Sequence, residues 1–88
     1  MQLGLEAYNV RAAIYGMKGE WELAISDYTK AIELKPSSLE SYYSRALAYK
    51  QLGKKSNAIS DFRKILELTS NPALRQNVEK ALKELQEN

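Results

Sequence analysis

The amino-acid sequence predicts an all-α fold, a helical-hairpin repeat array (an α-solenoid) followed by one further helix. The first observation is an internal repeat, because Ala24–Asp27 returns as Ala58–Asp61, 34 positions later. A period of this length is typical of stacked units that cannot bury their apolar faces alone. The second is helical periodicity, with apolar residues three or four positions apart. The third is the placement of Gly19, Pro36 and Gly53 where helices should end.

The repeat extends over most of the chain. Many residues are identical or similar to the residue 34 positions later, and the conserved types are aromatic, small or charged. The matched pairs are Tyr8 and Tyr42, Arg11 and Arg45, Ala12 and Ala46, Tyr15 and Tyr49, Gly19 and Gly53, Ala24 and Ala58, Tyr28 and Phe62, and Leu34 and Leu68. Recurrence in phase at so many positions indicates two units of one structural repeat.

This pattern resembles the tetratricopeptide repeat (TPR) family, whose units read W-x2-L-G-x2-Y, then A-x3-F, then P. The first unit supplies Tyr8, Arg11, Ala12, Tyr15, Ala24, Tyr28, Ala31 and Pro36, and the second supplies Tyr42, Arg45, Ala46, Tyr49, Ala58, Phe62 and Ile65. The chain departs from the family pattern at Arg11 and Arg45, which replace leucine. Lys55 and Ser70 replace the tryptophan and the proline of the first unit. The resemblance implies two TPR units and a C-terminal capping helix, forming a scaffold that binds other proteins.

Glycine, proline and capping residues set the predicted helix boundaries. The predicted helices are Leu5–Met17, Trp21–Leu34, Leu39–Leu52, Lys55–Leu68 and Pro72–Gln86. They form one domain over 1–88, with repeats at 5–38 and 39–71 and a capping helix at 72–86. Ser37 and Glu40 have the spacing of a capping box for the third helix. Asn71 before Pro72 suits the start of the fifth helix.

The fifth helix is predicted to close the array. Its apolar residues form a single stripe, which consists of Leu74, Val78, Ala81, Leu82 and Leu85. The other faces of this helix carry mainly charged and amide side chains. A terminal unit needs one apolar face towards the stack and a polar face towards solvent. In the TPR family this role belongs to a so-called solvating helix.

Alanine and aromatic residues of both units are predicted to form the core, because alanines allow helices to approach closely and aromatic rings fill the remaining space. Leu34 is expected to face inward with them. Arg11 and Arg45 are expected to lay their methylene groups along this core and keep their guanidinium groups in water. Asp27 and Asp61 are expected to be solvated acids that pair with the lysines three residues later.

The composition excludes several functional classes. The chain has no cysteine and no histidine, which removes the commonest nucleophiles, general bases and transition-metal ligands. We therefore expect no enzyme, no cofactor and no metal site. The net charge of +2 is too small to indicate nucleic-acid binding. No apolar stretch could span a membrane, and no secretory signal is visible, so we expect a cytoplasmic location and no membrane partner.

The remaining candidate site is the concave groove that the first helices of successive units line in the TPR family. We selected residues that occupy equivalent positions on the first, third and fifth helices. The predicted partner-binding residues are Asn9, Ala13, Met17, Tyr43, Leu47, Lys50, Gln51, Gln76 and Lys80. Tyr43, Leu47 and Met17 would form an apolar centre, and Lys50 and Lys80 a basic rim. The choice of Gln76 and Lys80 on the fifth helix assumes that one residue of the repeat is lost in the connector before this helix.

Tyr43 admits two interpretations. It is favoured as an anchor for a peptide because Asn9 stands in its place in the first unit, whereas core positions keep their size between units. Alternatively, Tyr43 and Leu47 pack against the neighbouring first helix and bind nothing. Some TPR proteins bind a chaperone C-terminus with a carboxylate clamp. We expect no such clamp here, because Ala13 and Ser44 stand where asparagine side chains would be needed.

At the level of the whole chain, the predicted function is a protein–protein interaction scaffold that binds a peptide or partner segment. The alternative is a structural self-association module. In that case the exposed first hairpin would stack on, or exchange with, a second copy and produce a homodimer.

Overall fold

The computed structural model describes residues 3–87 of the 88-residue chain. Over this range it contains five α-helices: α1 (Leu5–Met17), α2 (Trp21–Leu34), α3 (Leu39–Gln51), α4 (Lys55–Leu68) and α5 (Pro72–Gln86). The described residues form no strand. The all-α hairpin architecture is therefore confirmed. The one difference in helix boundaries is that α3 ends one residue earlier than predicted.

A glycine in the left-handed region ends the first helix of each hairpin. Gly19 has φ 76° and Gly53 has φ 72°, a conformation that glycine adopts without steric cost. The backbone N–H of Glu20 then donates to the carbonyl of Tyr15 at 2.9 Å, and the equivalent bond in the second hairpin has the same length. The two hairpins therefore turn in the same way, as the repeat predicts.

Side-chain caps begin α3 and α5. The expected capping box of Ser37 and Glu40 is wrong, because α3 begins at Leu39 and the preceding residue, Ser38, is the N-cap. Its hydroxyl accepts from the backbone N–H of Ser41 at 3.4 Å. The predicted cap of α5 is confirmed, with the Asn71 side chain accepting from the N–H of Leu74 at 3.0 Å.

The core has two parts. The larger part lies among α3, α4 and α5 and includes Phe62, Ile65 and Val78, which are fully buried. The smaller part lies between α1 and α2 and includes Ala12 and Ala24. Five alanines of the described residues have no exposed surface, namely Ala12, Ala24, Ala31, Ala46 and Ala58, and small residues at such positions let helices approach closely. The predicted alanine and aromatic core is thus confirmed at its centre.

The expectation that Leu34 faces inward is wrong. It is the last residue of α2 and lies to one side of the stripe formed by Ala24, Tyr28 and Ala31, so its side chain is exposed. The apolar stripe of α5 behaves as predicted. Its central residues are buried against α4, while the rest of the helix is largely exposed.

Replacing Ala24 with leucine tests this close packing. Ala24 is fully buried between α1 and α2, and added methylene groups there should lower the free energy of unfolding by about 1–3 kcal/mol. Urea denaturation followed by circular dichroism measures the change. The control is Leu23→Ala at the adjacent exposed position, which should change stability by less than about 0.5 kcal/mol. An unchanged denaturation midpoint for Ala24→Leu would contradict the packing.

Candidate functional site

An arginine–aspartate pair joins the two helices of each hairpin. Arg11 donates through Nε and Nη2 to the two carboxylate oxygens of Asp27 at 2.7 and 2.9 Å. Arg45 makes the same two bonds to Asp61 at 2.8 Å each. Both aspartates are buried. The expectation of solvated aspartates paired with lysines is therefore wrong, and the guanidinium groups, which were expected in water, bind these carboxylates instead. The planar guanidinium matches the two oxygens of a carboxylate. The arginine therefore replaces lysine and water as the partner of the aspartate.

The two arginine–aspartate pairs differ in the exposure of the arginine and in the other residues that it contacts. The Arg45 side chain is 17% exposed and that of Arg11 is 50% exposed. Arg45 also donates through Nη1 to the hydroxyl of Thr29 in the preceding hairpin at 3.0 Å. Its guanidinium carbon lies 5.7 Å from the ring centroids of both Tyr42 and Tyr49. The hydrogen bond to aspartate raises the pKa of each arginine above its ordinary value, so both stay charged at any working pH.

A buried polar chain connects the two repeats. Ser41 donates from its hydroxyl to Asn9 Oδ1 at 2.9 Å, and the hydroxyls of Ser38 and Ser41 lie 2.8 Å apart. Because the single Ser41 proton goes to Asn9, Ser38 is the donor in the second bond. Asn9 is therefore buried in the contact between α1 and α3. Its side-chain oxygen serves the packing of the two units.

One depression lies between α1 and α3, with a volume of about 400 Å³. Its lining residues come from three helices and are Ala13, Gly16, Met17, Trp21, Tyr28, Ser44, Leu47 and Gln51. We call it the α1–α3 depression. Met17 is 86% exposed and Leu47 is 42% exposed, so its walls present apolar side chains to solvent. Four of the predicted groove residues are in this lining, namely Ala13, Met17, Leu47 and Gln51.

Gly16 lies close to the Trp21 ring in the floor of the α1–α3 depression. A Cβ atom at this position would lie 3.1 Å from Cζ3 of the Trp21 ring, which is closer than ordinary van der Waals contact. A larger residue at position 16 would therefore require the Trp21 ring to shift by a few tenths of an ångström.

A second depression lies between α3 and α5, with a volume of about 320 Å³. Its lining residues are Leu39, Glu40, Tyr43, Ser44, Leu74 and Asn77, and we call it the α3–α5 depression. Ser44 belongs to both depressions, so the two adjoin. Tyr43 lines this one and also packs edge-on against Phe62, with ring centroids 5.6 Å apart and planes at 79°. This tyrosine therefore contributes to the core as well as to the surface.

Some predicted groove residues lie outside these two linings. Lys50, Gln76 and Lys80 are exposed but line neither depression. Asn77 lines the α3–α5 depression although it was not among the predicted residues. The N-caps of α3 and α5, Ser38 and Asn71, are 33 positions apart, which fits the predicted loss of one residue before α5.

Sequence reasoning also missed the second-helix residues of the floor, Trp21 and Tyr28. The spacing of these two residues along α2 is that of core residues. It gives no indication that they also line a surface depression.

The chemistry of the two depressions is that of a binding surface. They combine apolar and aromatic side chains with a hydroxyl, two amides and the carboxylate of Glu40. Over residues 3–87, no three side chains of types that hold metal ions come together. No helix in this range is long and apolar enough to cross a membrane.

Comparison with known proteins assigns the family. A family model described as TPR repeat matches residues 12–53, and one described as tetratricopeptide repeat matches residues 39–72. No curated protein sequence matches the chain. Among solved structures, the chain is similar to the first TPR of Spaghetti (RPAP3) bound to the HSP90 peptide SRMEEVD, with a TM-score of 0.84 and 25% sequence identity. The match covers 96% of this chain and 64% of that one. Two sequence matches that together cover residues 12–72, on hairpins of the matching fold, show that the chain belongs to the tetratricopeptide repeat family.

Proposed function

We propose that this TPR domain binds a short segment of a partner protein along the α1–α3 and α3–α5 depressions. TPR units are protein-interaction modules, which supports a protein-binding role in general. The observation that carries the more specific proposal is the exposure of Met17 and Leu47 on the walls of the α1–α3 depression. A concave site with exposed apolar walls and a few polar groups is typical of ligand binding. The solved relative described above holds a peptide.

The α1–α3 depression suits an apolar side chain of the partner. Trp21 and Tyr28 supply an aromatic floor, and the flexible thioether of Met17 adapts to the shape of the inserted group. Ser44 and Gln51 supply hydrogen-bonding groups for the partner backbone at the edges. Burial of one large apolar side chain from water would contribute about 1.5–3 kcal/mol.

The α3–α5 depression would bind the adjacent residues of the same partner segment. Tyr43 and Leu74 form its apolar wall, and Glu40 places a carboxylate beside them. A basic or amide side chain of the partner would complement this carboxylate. Because Ser44 lies in both depressions, the two anchoring side chains would be close together along the partner. Lys50 and Lys80 remain proposed as rim charges that influence the association rate.

This mode differs from a carboxylate clamp. The oxygen of Asn9 accepts a hydrogen bond from Ser41 inside the repeat contact. Ala13 and Ser44 line the α1–α3 depression with short side chains that cannot replace clamp asparagines. We therefore use SRMEEVD, the peptide in the relative's structure, as a comparison ligand that should bind less tightly than a selected apolar peptide.

Replacing Leu47 with glutamate should weaken binding of such a peptide at least about tenfold, because a charge would replace a central apolar contact. Ligands are selected from a random peptide display library on the purified wild-type domain. Their dissociation constants are then measured by fluorescence anisotropy. Circular dichroism checks that the variant is folded, which we expect because Leu47 is substantially exposed.

The matched control is Leu68→Glu. Leu68 has similar exposure, at 37%, but lies at the end of α4 and lines neither depression. This variant should bind the selected peptides as the wild type does. Equal affinities of the wild type and Leu47→Glu would overturn the proposal.

A further inference from the structure

A second apolar surface lies on α1, on the side opposite the core. Val10 and Ile14 are 55% and 46% exposed, and Leu3 and Ala7 are also exposed. Ala7, Val10 and Ile14 are spaced by three and four positions on α1, so they form one stripe with the spacing of a coiled-coil seam. We call these three residues the α1 stripe, and Leu3 lies just before the helix, which begins at Leu5. Unlike Met17, none of them lines the α1–α3 depression.

In the second repeat, the equivalent side of α3 packs against the preceding hairpin. Ser41 and Ala48 of α3, the counterparts of Ala7 and Ile14, are fully or almost fully buried, and α3 packs on the preceding hairpin. These buried residues are small, as a close helix approach requires. Ile14 is much larger than Ala48, so α1 is not shaped for the same close contact. A contiguous apolar stripe on an exposed helix face is typical of an interaction surface, whereas single exposed leucines such as Leu34 are not. The α1 stripe therefore indicates another helix packed at wider separation.

The charges beside the α1 stripe favour one arrangement of that helix. With Ala7 and Ile14 at the a positions of a heptad, Glu6 occupies g and Arg11 occupies e. In a parallel two-stranded coil, a g residue faces the e residue five positions later on the partner helix. Glu6 and Arg11 have opposite charges and this spacing. Glu6 forms no ion pair with another residue in the range 3–87.

Arg11 can take part in such a contact without releasing Asp27. Its counterpart Arg45 holds Asp61 through Nε and Nη2 and at the same time reaches Thr29 of another hairpin through Nη1. Arg11 holds Asp27 through the same two atoms and is half-exposed. Its Nη1 is therefore the atom suited to a carboxylate outside its own hairpin.

We propose that two copies of the chain associate through their α1 stripes as a parallel helix pair, with Glu6 of each copy facing Arg11 of the other. A self-complementary twofold contact is the commonest form of oligomer. Head-to-tail stacking is less favoured, because the exposed faces of α5 are polar and charged. The seam is only about two heptads long, so the dimer should be weak and concentration-dependent.

Sedimentation equilibrium from micromolar to millimolar concentration tests the association. The wild type should pass from monomer to dimer, and Ile14→Glu should remain monomeric throughout. Leu34→Glu is the control, because Leu34 is a similarly exposed apolar residue on α2 and should dimerise as the wild type does. Circular dichroism checks that both variants are folded. A wild type that stays monomeric would overturn the proposal, and so would equal dimerisation of Ile14→Glu.

Cysteine cross-linking tests the orientation, since the chain has no cysteine of its own. A disulfide requires Cα atoms within about 7 Å. In the parallel pair, Ala7→Cys and Ile14→Cys should each form a disulfide-linked homodimer when oxidised. If the helices are antiparallel, the two variants would cross-link mainly when mixed with each other, and the parallel arrangement would be wrong. The peptide-binding proposal does not depend on either result, because its test residue, Leu47, lies on α3 and outside the α1 stripe.

Discussion

Replacing Asp61 with alanine is expected to lower the free energy of unfolding by about 3–5 kcal/mol, the usual cost of breaking a buried ion pair from one side. Arg45 would lose both of its carboxylate bonds and keep only the bond to Thr29. Its side chain is 17% exposed, so water can replace the lost carboxylate only in part. Urea denaturation followed by circular dichroism measures the loss.

The first hairpin provides a matched control. Asp27→Ala removes the equivalent carboxylate, but Arg11 is half-exposed and can be solvated where it stands. Its loss of stability should be clearly smaller than that of Asp61→Ala. Equal losses in the two variants would show that the exposure of the arginine does not determine the cost.

Deleting Pro72–Asn88 should destroy the stable monomer. The deletion removes the buried apolar face of α5 and uncovers Phe62 and Ile65, which are fully buried in the intact chain. Each such side chain contributes about 1.5–3 kcal/mol when buried, so the loss should exceed the few kcal/mol of net stability typical of a small domain. Light scattering after size-exclusion chromatography should show aggregation, and circular dichroism should show loss of helix.

Two substitutions in α5 separate its buried face from its exposed face. Val78→Asp places a charge at a fully buried position and should reproduce much of the effect of the deletion. Gln76→Asp on the exposed face should leave stability within about 0.5 kcal/mol of the wild type. A truncated chain that stays monomeric with an unchanged melting temperature would contradict the role of α5.

The helix boundaries could be predicted because local residues determine them. Gly19 and Gly53 adopt the left-handed conformation that ends the first helix of each hairpin. Asn71 caps α5 through its own side chain. Such signals depend on a few neighbouring residues and need no knowledge of the packing. Where two adjacent serines could cap α3, the sequence alone did not distinguish Ser38 from Ser37.

The arginine–aspartate pairs could not be obtained from local rules. A rule based on helix spacing pairs Asp27 with Lys30, whereas the partner in the structure is Arg11 on the facing helix. The hairpin geometry brings together residues 16 positions apart and buries the carboxylate between them. A signal was nevertheless present, because both members recur together, as Arg45 and Asp61, in the second unit.

The candidate site was predictable in part for a similar reason. Positions on α1 and α3 follow from the repeat, so the sequence alone selects Ala13 and Leu47. In α5 the predicted one-residue offset fits the 33 positions between the N-caps Ser38 and Asn71, but Asn77 rather than Gln76 lines the α3–α5 depression. The aromatic floor could not be distinguished from core by sequence, since Trp21 and Tyr28 have the spacing of buried residues.

The central claim is that a partner segment binds across the α1–α3 and α3–α5 depressions, and an NMR titration tests it most directly. The amide resonances of the ¹⁵N-labelled domain are followed while a display-selected peptide is added. The largest shifts should occur at Ala13, Leu47 and Gln51, with further shifts around Tyr43. Shifts confined to a separate depression on α4, which Ile59 and Arg63 line, with none between α1 and α3, would contradict the claim.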